Sequence, residues 1–79
     1  MSHKLPRDVS GDEAISIFHK IGYRIVCTRG SHVRLRDDEN QDHKPITIPK
    51  HGSLKPGLLS KLIHDASLDV ETFIRLRTQ

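Results

Sequence analysis

The chain has 79 residues, with thirteen Lys and Arg against ten Asp and Glu, six histidines and one cysteine, for a formal net charge of +3. That length allows one thin core and argues against two domains. A single Cys27 excludes an internal disulfide and any Cys-x-x-Cys zinc module, and no stretch approaches the length of a membrane span.

The N-terminal residues are polar and lack the apolar run of a signal peptide, so a soluble protein in a reducing cytoplasm is expected, with no membrane partner. A surplus of three positive charges is a weak sign of an anionic partner. Its distribution is more telling. Asp37, Asp38, Glu39 and Asp42 are gathered in one segment, which leaves Arg24, Arg29, Arg34, Arg36, Lys44, Lys50 and Lys55 largely uncontested.

Residues 1–9 read as an N-terminal arm and 10–79 as one domain. Ser10-Gly11-Asp12-Glu13 has the form of a capping box, and Ala14, Ile17, Phe18 and Ile21 follow at helical spacing up to a stop at Gly22. Tyr23 to Thr28 reads as a strand, Arg29-Gly30-Ser31 as a turn, and His32 to Arg36 as the returning strand. A three-residue loop would set Thr28 opposite His32 and place Tyr23, Ile25 and Cys27 on the core face with Val33 and Leu35, whereas a two-residue loop would mix the faces. The three-residue loop is therefore expected, with Cys27 in the core as a small apolar residue.

Asp37 to Lys44 is wholly polar and reads as a solvated connection. Pro45 to Pro49 alternates as a short third strand near a sheet edge, and Lys50 to Lys55 forms a further loop. Pro56 suits a first helical turn, with Leu58, Leu59, Leu62, Ile63 and Ala66 as the apolar stripe behind it. A short last helix, Val70 to Leu76, is expected with Asp69 as its cap and Phe73 and Leu76 as its packing residues. The class is α+β, in the order α-β-β-β-α with an extra C-terminal helix and the helices on one face of a three-stranded antiparallel sheet.

The chemistry is concentrated at Arg29-Gly30-Ser31-His32. If Val33 and Leu35 point into the core, His32, Arg34 and Arg36 share the other face. A histidine titrates near neutral pH and suits proton transfer, while arginine forks suit a phosphate. Lys50, His51 and Lys55 lie in the loop before the second helix, where free N–H groups favour an anion. His3, His19, His43 and His64 read as bystanders, and no histidine spacing fits a metal site, so neither metal nor cofactor is expected.

These pieces resemble a known family. Gly22-Tyr23, Arg29-Gly30-Ser31-His32, Ile48-Pro49-Lys50-His51, Leu54-Lys55-Pro56-Gly57 and Asp65-Ala66 stand in the order and spacing of the HicA-type, or YcfA-like, mRNA interferase toxins of toxin–antitoxin systems. Two departures are Val33, where many members carry a second histidine, and the order Lys55-Pro56-Gly57. The resemblance implies a fold like the double-stranded RNA-binding domain and an endoribonuclease that cleaves mRNA and arrests translation. It also implies silencing by a HicB-type antitoxin, with operator DNA contacted only through the antitoxin complex.

By the same resemblance His32 is the catalytic residue. RNA contacts are expected at Arg29, Ser31, Arg34, Arg36, Lys50, His51 and Lys55. The alternatives are a non-catalytic RNA-binding module using the same face and a small adaptor that binds only protein.

Overall fold

The computed structural model describes residues 5–79. Its elements run α1 (Gly11–Lys20), β1 (Arg24–Arg29), β2 (His32–Arg36), β3 (Ile46–Pro49), α2 (Pro56–Asp65) and α3 (Val70–Arg77). The strands form one antiparallel sheet in the order β1-β2-β3, which agrees with the α+β order expected and with a fold like the double-stranded RNA-binding domain.

Period-two alternation decides which face is covered. Val33 and Leu35 of β2 and Ile46 and Ile48 of β3 are buried, while His32, Arg34, Arg36 and Thr47 between them are exposed. The buried set joins Ala14, Ile17 and Phe18 of α1, Leu59, Leu62 and Ile63 of α2 and Phe73 of α3 in one core. Phe18 sits at its centre, edge-on to Tyr23 at 5.7 Å and tilted against Phe73 at 5.8 Å.

Local signals set the helix ends. Ser10 caps α1 through its hydroxyl, which accepts from the Glu13 N–H at 3.0 Å. The other half of the expected capping box is absent, because the Glu13 carboxylate accepts instead from Arg77 Nε at 2.9 Å and ties α1 to α3. Asp69 caps α3 by accepting from the Thr72 N–H at 2.7 Å, and Pro56 opens α2. Gly11 has a packing role: a Cβ there would overlap the Pro49 carbonyl oxygen, so only glycine lets α1 begin against the end of β3.

Residues 1–4 of the expected arm, His3 among them, lie outside the described residues. Within them, Val9 is fully buried and its carbonyl accepts from the Leu54 N–H at 2.8 Å, so this stretch is docked.

Two further expectations are overturned. The hairpin loop is Gly30-Ser31, two residues long, closed by Arg29 opposite His32. Gly30 takes a φ of +56°, as the first position of a type II′ turn requires. The feared mixing of faces is avoided by a bulge: the register slips by one residue between Ile25 and Cys27, with Val26 as the extra residue. Ile25 stays on the helix side opposite Leu35, whereas Cys27 pairs with Arg34 and joins the open face, exposed rather than in the core.

The second concerns residues 37–44, which are organised rather than merely solvated. His43 stacks on Tyr23 at 5.1 Å, its Nδ1 lies 2.9 Å from the Asp37 carboxylate, and its Nε2 lies 3.3 Å from the Asn40 amide. The Tyr23 hydroxyl donates to the Lys44 carbonyl at 2.7 Å, and the Lys44 N–H donates to the Asp65 carbonyl at 2.9 Å. His43 is therefore a packing residue that holds this connection to the domain.

Candidate functional site

The open sheet face carries four of the expected site residues, Arg29, His32, Arg34 and Arg36, and three structural causes bring this face together. β2 is the central strand, so its outward residues His32, Arg34 and Arg36 run down the middle of the face. The tight hairpin puts Arg29 directly beside His32. The bulge turns Cys27 to the same side, next to Arg34, and β3 adds Thr47 on the far side.

Cys27, Arg29, His32, Arg34 and Thr47 line a shallow depression of about 340 Å³. Of the expected residues, Arg29, His32 and Arg34 meet there. Cys27 and Thr47 complete it and were missed: Thr47 was readable from the alternation of Ile46 and Ile48, whereas Cys27 depends on the bulge.

The charges on this face are not equivalent. Arg24 and Arg36 both reach Asp38, at 2.7 and 3.1 Å, so one carboxylate is shared by two guanidiniums and that end of the face keeps a reduced positive charge. Arg34 donates to the Thr47 hydroxyl at 3.4 Å, a long contact that steadies its guanidinium without cancelling its charge. The side chains of Arg29 and His32 have no hydrogen-bond or ion-pair partner among the described residues. Uncancelled positive charge therefore surrounds His32, where a phosphate would be drawn.

The remaining expected residues sit around this centre. Ser31 is in the hairpin loop, and its carbonyl accepts from the Lys50 N–H at 2.6 Å, which pins the 50–55 loop to the end of the sheet. Lys50 and His51 are exposed just beyond Pro49, itself the cross-strand partner of His32. Lys55 occupies the N-cap position of α2 without a side-chain capping bond, and the first turn of that helix carries no acidic residue. Neither His51 nor Lys55 lines the depression. Among the described residues, no three His, Cys, Asp or Glu side chains converge as metal ligands, and no helix is long and apolar enough to cross a membrane.

Comparison with curated proteins and with solved structures yields no match. A family model described as the HicA toxin of bacterial toxin–antitoxin systems matches residues 11–68, which span α1, the whole sheet and α2. Of the described helices and strands, α3, packed through Phe73 against Phe18, lies beyond the match. With most of its length matched, including every strand that builds the open face, the chain belongs to the HicA toxin family.

Proposed function

We propose that this chain is an endoribonuclease toxin, an mRNA interferase, that cuts RNA on the open face of its sheet with His32 as the proton-transfer group. The observation that carries this reading is the position of His32. It is exposed on the central strand, between Arg29 and Arg34, in a depression open to solvent.

RNA supplies its own nucleophile. His32, as a neutral imidazole, takes the proton of a ribose 2′-hydroxyl, and the freed oxygen attacks the adjacent phosphorus. The bond from phosphorus to the 5′-oxygen breaks, and that oxygen leaves with a proton taken from solvent water as the 2′,3′-cyclic phosphate forms. Arg29 and Arg34 face the negative charge that builds on the phosphorane, and their forked donors suit its non-bridging oxygens. Arg36 at the far end of the strand and Lys50, His51 and Lys55 in the loop between β3 and α2 extend the cationic surface, and Ser31 offers a hydroxyl at the hairpin. Membership of the toxin family adds the expected partner, a HicB-type antitoxin that covers this face.

The test is end-group analysis of purified RNA after cleavage in a chelator. Products ending in 2′,3′-cyclic phosphate or its 3′-phosphate, with DNA resistant, fit the reading. Activity that is abolished by the chelator and restored by one divalent ion contradicts it. RNA binding without cleavage would favour the non-catalytic module.

A further inference from the structure

Strand β1 is six residues long, every residue in it is exposed, and it forms one edge of the sheet. A free edge offers unpaired backbone groups. Arg29 and His32 close a two-residue hairpin and exchange both backbone bonds, so Thr28, next along the ladder, turns its N–H and C=O outward. The opposite edge, β3, has only four residues and lies between Pro45 and Pro49, which guard it against pairing.

The two sides of the β1 edge differ. On the helix side a mostly apolar groove of about 270 Å³ runs between α1 and the strand, walled by Ile15, Tyr23, Ile25 and Leu35, with Asp12, Ser16 and His19 of α1 also lining it. Ile25 is 55% exposed and Val26 44% exposed, and they are the large hydrophobic residues left uncovered among those described. On the open side the same strand presents Arg29, whose side chain has no partner among the described residues, and Arg24, which shares the Asp38 carboxylate with Arg36. An incoming strand alternates its side chains between those two sides. One set must be apolar and the other acidic.

We propose that β1 is a docking edge for an extended segment of an acidic protein partner, which adds a fourth strand to the sheet. Its apolar side chains enter the groove beside Ile15 and Ile25, and its carboxylates face Arg24 and Arg29. A second copy of this chain does not fit. Antiparallel pairing of β1 with itself sets Arg24 against Arg29, and like charges directly opposite are destabilising. The inference rests on the toxin reading only for which protein supplies the segment. Strand docking and RNA cleavage are measured separately.

The probe is a synthetic peptide of alternating glutamate and valine, titrated to millimolar concentration against the full chain and followed by backbone amide shifts and hydrogen exchange. Slowed exchange at Thr28, with shifts along β1 and at Ile15, is expected. Ile25→Glu should weaken binding at least tenfold, as should Thr28→Pro, which removes an outward N–H. RNA cleavage by either variant should stay near the parent rate. If Thr28→Pro fails to fold, Ile25→Glu decides alone.

Four results would each overturn the proposal: no saturable shifts, shifts mapped away from β1, equal binding of a lysine–valine peptide, or concentration-dependent dimers of the chain itself that Ile25→Glu dissolves. Loss of cleavage alone would leave it standing and count against the nuclease instead.

Discussion

Cys27 lies directly across from Arg34 in the β1–β2 ladder, one residue out of phase with the alternation set by Ile25 and Leu35. The slip at Val26 is what carries the thiol from the helix side of the sheet to the face that holds His32. A thiol there is open to reagents without unfolding. Ellman's reagent should label Cys27 in the native protein at close to the rate seen in denaturant, and the adduct should reduce RNA binding by crowding Arg34. Labelling that waits for global unfolding would show that the thiol is buried and the bulge misplaced.

Asp38 draws Arg24 and Arg36 together and lowers the positive potential at that end of the face. Exposed pairs of this kind contribute about 0.2–1 kcal/mol each. Asp38→Asn frees both guanidiniums, so affinity for single-stranded RNA should rise roughly two- to thirtyfold on that scale. Its dependence on salt should steepen by about 0.7 in log–log slope for each further phosphate neutralised. Filter-binding isotherms at several salt concentrations would check this, and unchanged affinity would mean that RNA does not use the Arg24–Arg36 end.

Gly11 begins α1 where a side chain would meet the Pro49 carbonyl, and the Pro49 end of β3 lies beside His32. Gly11→Ala should cost about 1–3 kcal/mol, the usual range for forcing atoms into a packed site. In a domain of this size the melting temperature should fall by about 4–8 °C for each kcal/mol lost. Thermal unfolding followed by circular dichroism measures it, and a neutral or stabilising result would show that α1 does not abut β3 this closely.

Tyr23 has its phenol pushed up to about 12, chiefly by burial and further by the nearby Asp37 and Asp65 carboxylates. The folded state therefore holds this proton more tightly than the unfolded chain, whose tyrosine titrates near 10. Its contribution is fully present below about pH 10 and is lost as pH rises toward 12. Denaturant midpoints should fall across that window. In Tyr23→Phe the decline should be shallower, at the cost of the hydroxyl's bond to Lys44. Parallel declines in the two proteins would contradict this assignment.

Element order, most of the core and the caps at Ser10 and Asp69 were legible because periodicity and capping are local. The face of His32, Arg34 and Arg36 was legible for the same reason, since Val33 and Leu35 fix the phase of β2. The phase of β1 was not. Its apolar residues run Ile25, Val26, Cys27 without alternation, and the slip is set by closing a two-residue turn against β2. The role of Glu13 was also hidden, because its partner Arg77 lies 64 residues away. The order in residues 37–44 depends on Tyr23 and Asp65, although Asn40 two residues before Asp42 was a readable local turn signal: its side chain accepts from the Asp42 N–H at 2.9 Å.

The most direct measurement is single-turnover cleavage of a short RNA by His32→Ala beside the parent chain, with RNA affinity and melting temperature taken on the same samples. The His32 side chain is exposed and makes no hydrogen bond among the described residues, so the variant should melt within a few degrees of the parent and bind RNA within severalfold. Its cleavage rate should fall by about 10²–10⁴, the range typical of a lost general base. Cleavage at the parent rate by a folded His32→Ala protein would contradict the central claim.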